Sequence, residues 1–424
     1  MTRPEDSPAD SAGLERMLVG LIESSHTATI DDLPALLGAF APHAGITQTL
    51  IYVADLQQQV LRLLTGRGPD GGDDAGGVPS ELAVDTTLAG LAFQEVRTLP
   101  QPGADGKPEH WWVPLLNGTA RLGVLRVTAA GPSFDPKVAR HLSSLVALLV
   151  TSMHAYSDSY PRLVRSRPMN VAAEMQWRLI PPLTFANPRA TVSAVLEPAY
   201  EVGGDTFDYA VADDMLHVAI YDAMGHDVSA GLTAGLAIAA CRNNRRQGAS
   251  LAETSEAIER VLITEFGRAQ RFITAIMGDL DLNTGVFTWV NRGHHPPILI
   301  RDGRWVTTLE CPPAHPMGLD LGLPVHTRQE QLRPGDRLLL YTDGITENRD
   351  ASNREFGLHR FADFVIRHHS SGLPVPETLR RLIRAVLSHH EGRLRDDATV
   401  VMVEWNGPGD DFEAAHSEWP MPRV

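Results

Sequence analysis

The sequence predicts an α+β chain of two domains: a small α/β unit, then two packed antiparallel sheets flanked by helices. Three observations carry this. With 424 residues the chain exceeds what a single core of ordinary size organises. Strand-like apolar runs sit between two helical segments in the first 157 residues, and from about Ala190 to Trp405 strands follow one another around only two helical zones.

Taken in order, residues 1–12 open with "MTRPEDSPAD", polar and acidic; this predicts a disordered N-terminus that is neither a signal peptide nor an anchor. From Gly13 to about Phe40, Leu14, Met17, Leu18, Leu21 and Ile22 recur at helical spacing. Strands are expected at 49–55, 60–66, 111–116 and 121–127, with a flexible Gly/Asp insert at 66–80. Pro136 suits the first turn of a helix that runs to Tyr156, which closes a first domain at 13–157. Residues 158–182 read as a linker whose second half, Met169 to Ile180, is a helix ended by Pro181 and Pro182. The second domain, 183–405, has helical zones at 227–245 and 251–266, and turn signals at 282–285 and 301–303 mark hairpins. Residues 406–424 read as a disordered acidic tail.

A formal net charge of −15 without a basic stripe argues against a nucleic-acid binder, so charge-attracted partners should be basic groups or metals. Two cysteines, Cys241 and Cys311, are too few for a disulfide scaffold and lack metal-ligand spacing, which suits a reducing cytoplasm. The apolar run at 145–150 is far too short to span a membrane.

Four acidic positions share one context, the end of a β-rich run beside glycine or another acid. They are Asp205 in "YEVGGDTFDY" (with Asp208 three residues on), Asp222 in "YDAMGHDVSAGL", Asp343 in "LLLYTDGITE" and the pair Asp396 and Asp397 in "RDDATVVMVEW". Singly, each is an ordinary turn or a solvated pair. Together they form a set of hard oxygen donors suited to magnesium or manganese, and without cations they would repel one another.

These motifs, with "EMQWRLIPP" and "RFITAIMGDLDLNTGVFTWVNRGHHPPILI", occur in the order seen in the SpoIIE/RsbU-like branch of the metal-dependent (type-2C, PPM) protein Ser/Thr phosphatases, which residues 170–405 resemble. The resemblance implies a PPM-type α/β/β/α sandwich and two Mn2+ or Mg2+ ions. By position it implies that Asp222 bridges the ions beside the Ala223 carbonyl, that Asp205 lies near the first ion, and that Asp343 and Asp396 serve the second. Asp396 is preferred to Asp397 because the family's aspartate lies three residues before the Thr now at 399. The family often has glycine after the histidine where Asp227 stands here. His226 either protonates the leaving oxygen or is a turn histidine bonded to backbone. The first domain resembles a GAF sensor module, best over "VDTTLAGLAFQEVRTLP" (84–100); it has no cysteine for a covalent bilin, and haem and cyclic nucleotide both stay open.

The adjacent His294 and His295 cannot readily grip one ion, because neighbours on an extended segment point to opposite faces; Asn291, Gly293 and Pro296 then read as a structural turn. Trp111, Trp112 and Trp289 are expected in cores. The resemblance implies hydrolysis of phosphoserine or phosphothreonine on a partner protein, a STAS-type anti-sigma-factor antagonist, under control of the GAF-like domain and a separate kinase, and by a homodimer. Two alternatives remain: a catalytically silent GAF-containing scaffold, and a diguanylate cyclase suggested by "GGDTF" at 203–207, where Thr206 replaces a required acid.

Overall fold

The structure is a computed structural model that describes residues 8–66, 78–103, 108–131, 134–201, 203–347, 355–370, 375–389, 394 and 396–409. Most of the expected Gly/Asp insert and nearly all of the acidic tail fall outside the described residues. The chain divides into two compact units at Arg167/Pro168, within the stretch expected as a linker.

In the first unit α1 (Pro8–Ser25) starts five residues before the expected Gly13, with Pro8 in its first turn. It is followed by α2 (Leu33–Phe40) and by strands β1 (Ile46–Ala54), β2 (Val60–Leu63) and β3 (Glu81–Ala83). Helix α3 (Leu88–Glu95) then precedes β4 (Leu99–Pro102), β5 (Pro108–Asn117), β6 (Ala120–Ala129), α4 (Pro136–His154) and α5 (Ser159–Val164). The strands form one antiparallel sheet ordered β3-β2-β1-β6-β5-β4. Strand alternation gives it two apolar faces. Ile51, Val53, Leu115 and Leu125 pack with Met17 and Leu21 of α1 and Val146 and Val150 of α4. Tyr52, Leu61, Trp112 and Val124 pack on the other face with Phe93 of α3. Helix α5 belongs here, because the Arg62 guanidinium donates to the Leu163 and Arg165 carbonyls at 3.1 and 2.8 Å.

The second unit opens with α6 (Val171–Leu179), capped by Asn170, whose side-chain oxygen accepts the Ala173 N–H at 2.7 Å. In chain order follow β7 (Thr184–Ala186), β8 (Ala190–Glu197), β9 (Asp205–Ala212), β10 (Met215–Ala223), α7 (Val228–Arg246), α8 (Leu251–Phe266), β11 (Ile273–Asp281) and β12 (Val286–Arg292). The chain continues through β13 (Ile298–Arg301), β14 (Arg304–Thr308), β15 (Thr327–Gln331), β16 (Asp336–Tyr341), the short α9 (Asp343–Thr346), α10 (Leu358–Ser370), α11 (Val375–His389) and β17 (Ala398–Trp405).

Two antiparallel sheets, ordered β15-β12-β11-β10-β9 and β14-β13-β16-β17-β8-β7, bury a shared layer of Phe207, Ile220, Ile276, Leu338, Leu340 and Val401 between them. Each such side chain contributes about 1.5–3 kcal/mol by leaving water. Helices α7 and α8 cover the outer face of the first sheet, α10 and α11 that of the second. This is the α/β/β/α sandwich of the PPM fold. Only two helical zones were expected, yet α10 and α11 make a third and fourth. Leu379, Leu382, Ile383 and Val386 carry the helical spacing that shows it. Among the described residues no helix is long and apolar enough to cross a membrane, and both cysteines are free and buried.

Candidate metal centre

The acidic positions converge where strand ends of the two sheets meet. Asp205 opens β9 and lies directly opposite Asp222 near the end of β10. Asp343 follows β16, and Asp396 and Asp397 precede β17, the neighbour of β16 in the other sheet.

Backbone packing fixes this end. One oxygen of the buried Asp397 carboxylate accepts the N–H groups of Gly203, Gly204 and Asp205 at 2.9, 2.8 and 3.2 Å. Thr342, fully buried, donates its hydroxyl to Asp205 at 2.6 Å and accepts the Thr399 N–H at 2.9 Å. A Cβ on Gly204 would lie 2.4 Å from the Ala223 carbonyl oxygen and 2.6 Å from that of Gly225; on Gly203 it would lie 2.4 Å from that of His226. Only glycine lets the 203–204 backbone pass this turn, which leaves the Ala223 carbonyl beside the carboxylates.

The electrostatics are those of crowded acids. Burial pushes Asp222 up to about 7, reinforced by the charges of Asp343, Asp396 and Asp397. Burial likewise holds Asp205 well above the usual carboxylate range, with Asp397 and Asp222 adding to it. Asp343 is raised by burial and then by Asp396 and Glu347. Among the described residues, Asp205, Asp222 and Asp343 have no ion-pair partner, and no three acidic, histidine or cysteine side chains close into a ready-made metal cage. The donors stand as an open group around Asp222. Carboxylates plus one backbone carbonyl are the chemistry that hard divalent cations take, and two positive ions would relieve the repulsion.

His226 is exposed in the turn between β10 and α7. Asp227, where the resembled family often has glycine, caps α7 by accepting the Ala230 N–H at 2.9 Å, and it pairs with Arg271 at 3.6 Å. Nothing in the local sequence marks the part played by Thr342; the sequence offers Asp397 only as the less favoured ligand beside Asp396, and His294 only as a residue of a structural turn unsuited to metal. His294 is buried, whereas His295 is half-exposed, stacks on Tyr341 and lies 3.8 Å from Glu347. Trp112 and Trp289 are buried in cores.

Residues 212–406 match the family model described as Stage II sporulation protein E (SpoIIE), a match that begins after Asp205. Among curated proteins, the chain is 22% identical to the phosphoserine phosphatase RsbU of Bacillus subtilis over 64% of this chain and 81% of RsbU. It is 26% identical to the phosphoserine phosphatase RsbP of the same organism, over 38% of this chain and 41% of RsbP. It is 24% identical to Protein IcfG of Synechocystis sp. over 51% of this chain, a match that spans only 38% of IcfG. Residues 212–406 are thus similar to the SpoIIE family, and the chain resembles the SpoIIE/RsbU-like branch of the metal-dependent protein serine/threonine phosphatases.

Proposed function

We propose that the chain is a Mn2+- or Mg2+-dependent phosphatase that hydrolyses phosphoserine or phosphothreonine on a partner protein, a STAS-type anti-sigma-factor antagonist. The observation that supports this best is the group of carboxylates from both sheets around Asp222, whose mutual repulsion divalent cations would relieve. Asp222 would be shared by two ions, with the Ala223 carbonyl and Asp205 at the first and Asp343 and Asp396 at the second. When bound, the ions neutralise phosphate oxygens and acidify a water. The protein does the rest. Asp397 and Thr342 hold Asp205 at the strand end, the bare Gly203–Gly204 backbone gives the carbonyls room, and His226, exposed in the turn, would be the group that gives a proton to the departing serine or threonine oxygen.

Control enters through α6 in this reading. Ala172 and Ala173 are buried, Ala172 lies beside Gly231 of α7, and the Trp177 indole donates to the Ala199 carbonyl at 2.7 Å, just before the 203–205 turn. The GAF-like unit, acting within a cytoplasmic homodimer, would shift α6 and with it the metal turn. Stripping metal and titrating Mn2+ back against a generic phosphomonoester tests the activity. Wild type should respond, and Asp222→Asn should lose on the order of a hundredfold or more. Full activity of that variant, or in excess chelator, removes the metal reading. Phosphorylated STAS proteins offered beside unrelated phosphopeptides test the substrate: equal rates on all of them refute partner selectivity.

A further inference from the structure

His294 lies at the meeting point of the two sheets and has no part in the chemistry described above. Its ring reaches the Tyr341 carbonyl through Nε2 at 3.0 Å and the Thr274 hydroxyl through Nδ1 at 2.7 Å. A carbonyl can only accept, so Nε2 carries the hydrogen. Nδ1 is therefore the acceptor, and Thr274 donates to it. Burial pushes the imidazole down to about 3, with His295 adding to it, so the ring is neutral and this tautomer is held. The main chain of the same residue is tied as well, because the Asn291 side chain accepts the His294 N–H at 2.8 Å and donates to its carbonyl at 2.9 Å.

Both partners adjoin the acidic group. Thr274 on β11 lies directly opposite Asp222 on β10, so the two side chains share a face as close neighbours. Because its proton goes to His294, the Thr274 hydroxyl does not compete for the Asp222 carboxylate. Tyr341 ends β16 and leads into Thr342, which holds Asp205, and then into Asp343. One rigid ring thus spans from the strand pair that carries Asp222 to the strand end that carries Asp343.

We propose that His294 is a positioning residue: by gripping Thr274 on one sheet and the Tyr341 carbonyl on the other, it sets the spacing between Asp222 and Asp343 that two divalent cations need. This rests on the metal reading above. It ascribes to the buried histidine a role in metal affinity rather than in folding alone.

The test is direct Mn2+ binding to the full chain, followed by the electron paramagnetic resonance signal of free Mn2+ well below the melting temperature. His294→Leu removes both hydrogen bonds and Thr274→Val removes one with little change of shape; each should weaken Mn2+ binding about tenfold. His294→Gln keeps an N–H for Tyr341 and should recover part of that loss. Thr274→Val added to His294→Leu should cost nothing further. Val403→Ala, in the core between the sheets, serves as a control that lowers stability without changing affinity. If the histidine variants do not fold, Thr274→Val decides alone. Wild type that binds Mn2+ with variants that bind it equally well overturns the positioning role and leaves the metal reading standing. Wild type that binds none overturns both.

Discussion

Replacing Asp397 separates two roles that a carboxylate beside a metal centre can play. One oxygen of this side chain accepts three successive backbone N–H groups, at 2.9, 2.8 and 3.2 Å, inside the protein. Hydrogen bonds to a charged group are worth about 1.5–3 kcal/mol each, and the longest of these three counts for less, so Asp397→Ala forfeits roughly 4 kcal/mol before any water enters. Removing the charge returns part of this, about 1 kcal/mol, because Asp397 repels both Asp205 and Asp222. The net loss expected at the 203–205 turn is therefore about 3 kcal/mol. Asp397→Asn keeps an acceptor oxygen in place and gains the same relief, so it should stay within about 1 kcal/mol of wild type. Hydrogen-exchange mass spectrometry over residues 200–210 reads this directly. In the alanine variant the turn amides should exchange on the order of a hundredfold faster, and in the asparagine variant hardly faster at all. Asparagine as damaging as alanine would show that the charge matters rather than the acceptor. Unchanged exchange in alanine would refute the clamp.

Three further outcomes follow from other parts of the second unit. Arg292 is fully buried, donating to Glu259 at 2.8 Å, Ser255 at 3.0 Å and the His315 carbonyl at 3.0 Å. Arg292→Met should lower stability in urea unfolding by roughly 3–5 kcal/mol because Glu259 loses its cation, and adding Glu259→Leu should recover part of it. His294 has a folded pKa of about 3, below its ordinary value near 6.5. Its contribution to stability is complete above the unfolded pKa and is lost as pH falls from about 6.5 toward 3, at about 1.4 kcal/mol per pH unit. His294→Gln should flatten that slope in urea unfolding between pH 7 and pH 5, and an unchanged slope would assign it to other groups. A chain truncated to begin at Leu183 loses α6, and with it the Trp177 bond to Ala199 and the Leu179 carbonyl that accepts from Arg242 at 2.7 Å. Its unfolding midpoint in urea should fall below that of a chain that begins at Pro168 and keeps α6; equal midpoints would show that the helix adds nothing to the stability of the second unit.

Local pattern made much of this protein legible. Apolar runs that end before Asp-Gly or begin after Asp-Asp mark strand ends on which acids stand, and proline and capping residues bound α4 and α6 closely. The amphipathic spacing of α10 and α11 is equally present in the sequence, but polar and charged residues dilute its apolar stripe.

What the sequence by itself determined is therefore the class of the fold and the places where several of its strands begin or end beside acids, because these rest on side-chain periodicity and residue chemistry within a few positions. The tertiary structure decided how neighbours divide their work. Asp396 and Asp397 are adjacent and chemically identical. Only packing against Gly203 to Asp205, more than 190 residues away, turns the Asp397 carboxylate inward, while Asp396 stays exposed near Asp222 and Asp343. In the same way His294 is sealed inside and His295 left at the rim, because Thr274 and the Tyr341 carbonyl, 20 and 47 residues away, reach only the first. Such choices come from chain segments brought together by the burial of two sheets, and no local spacing records them.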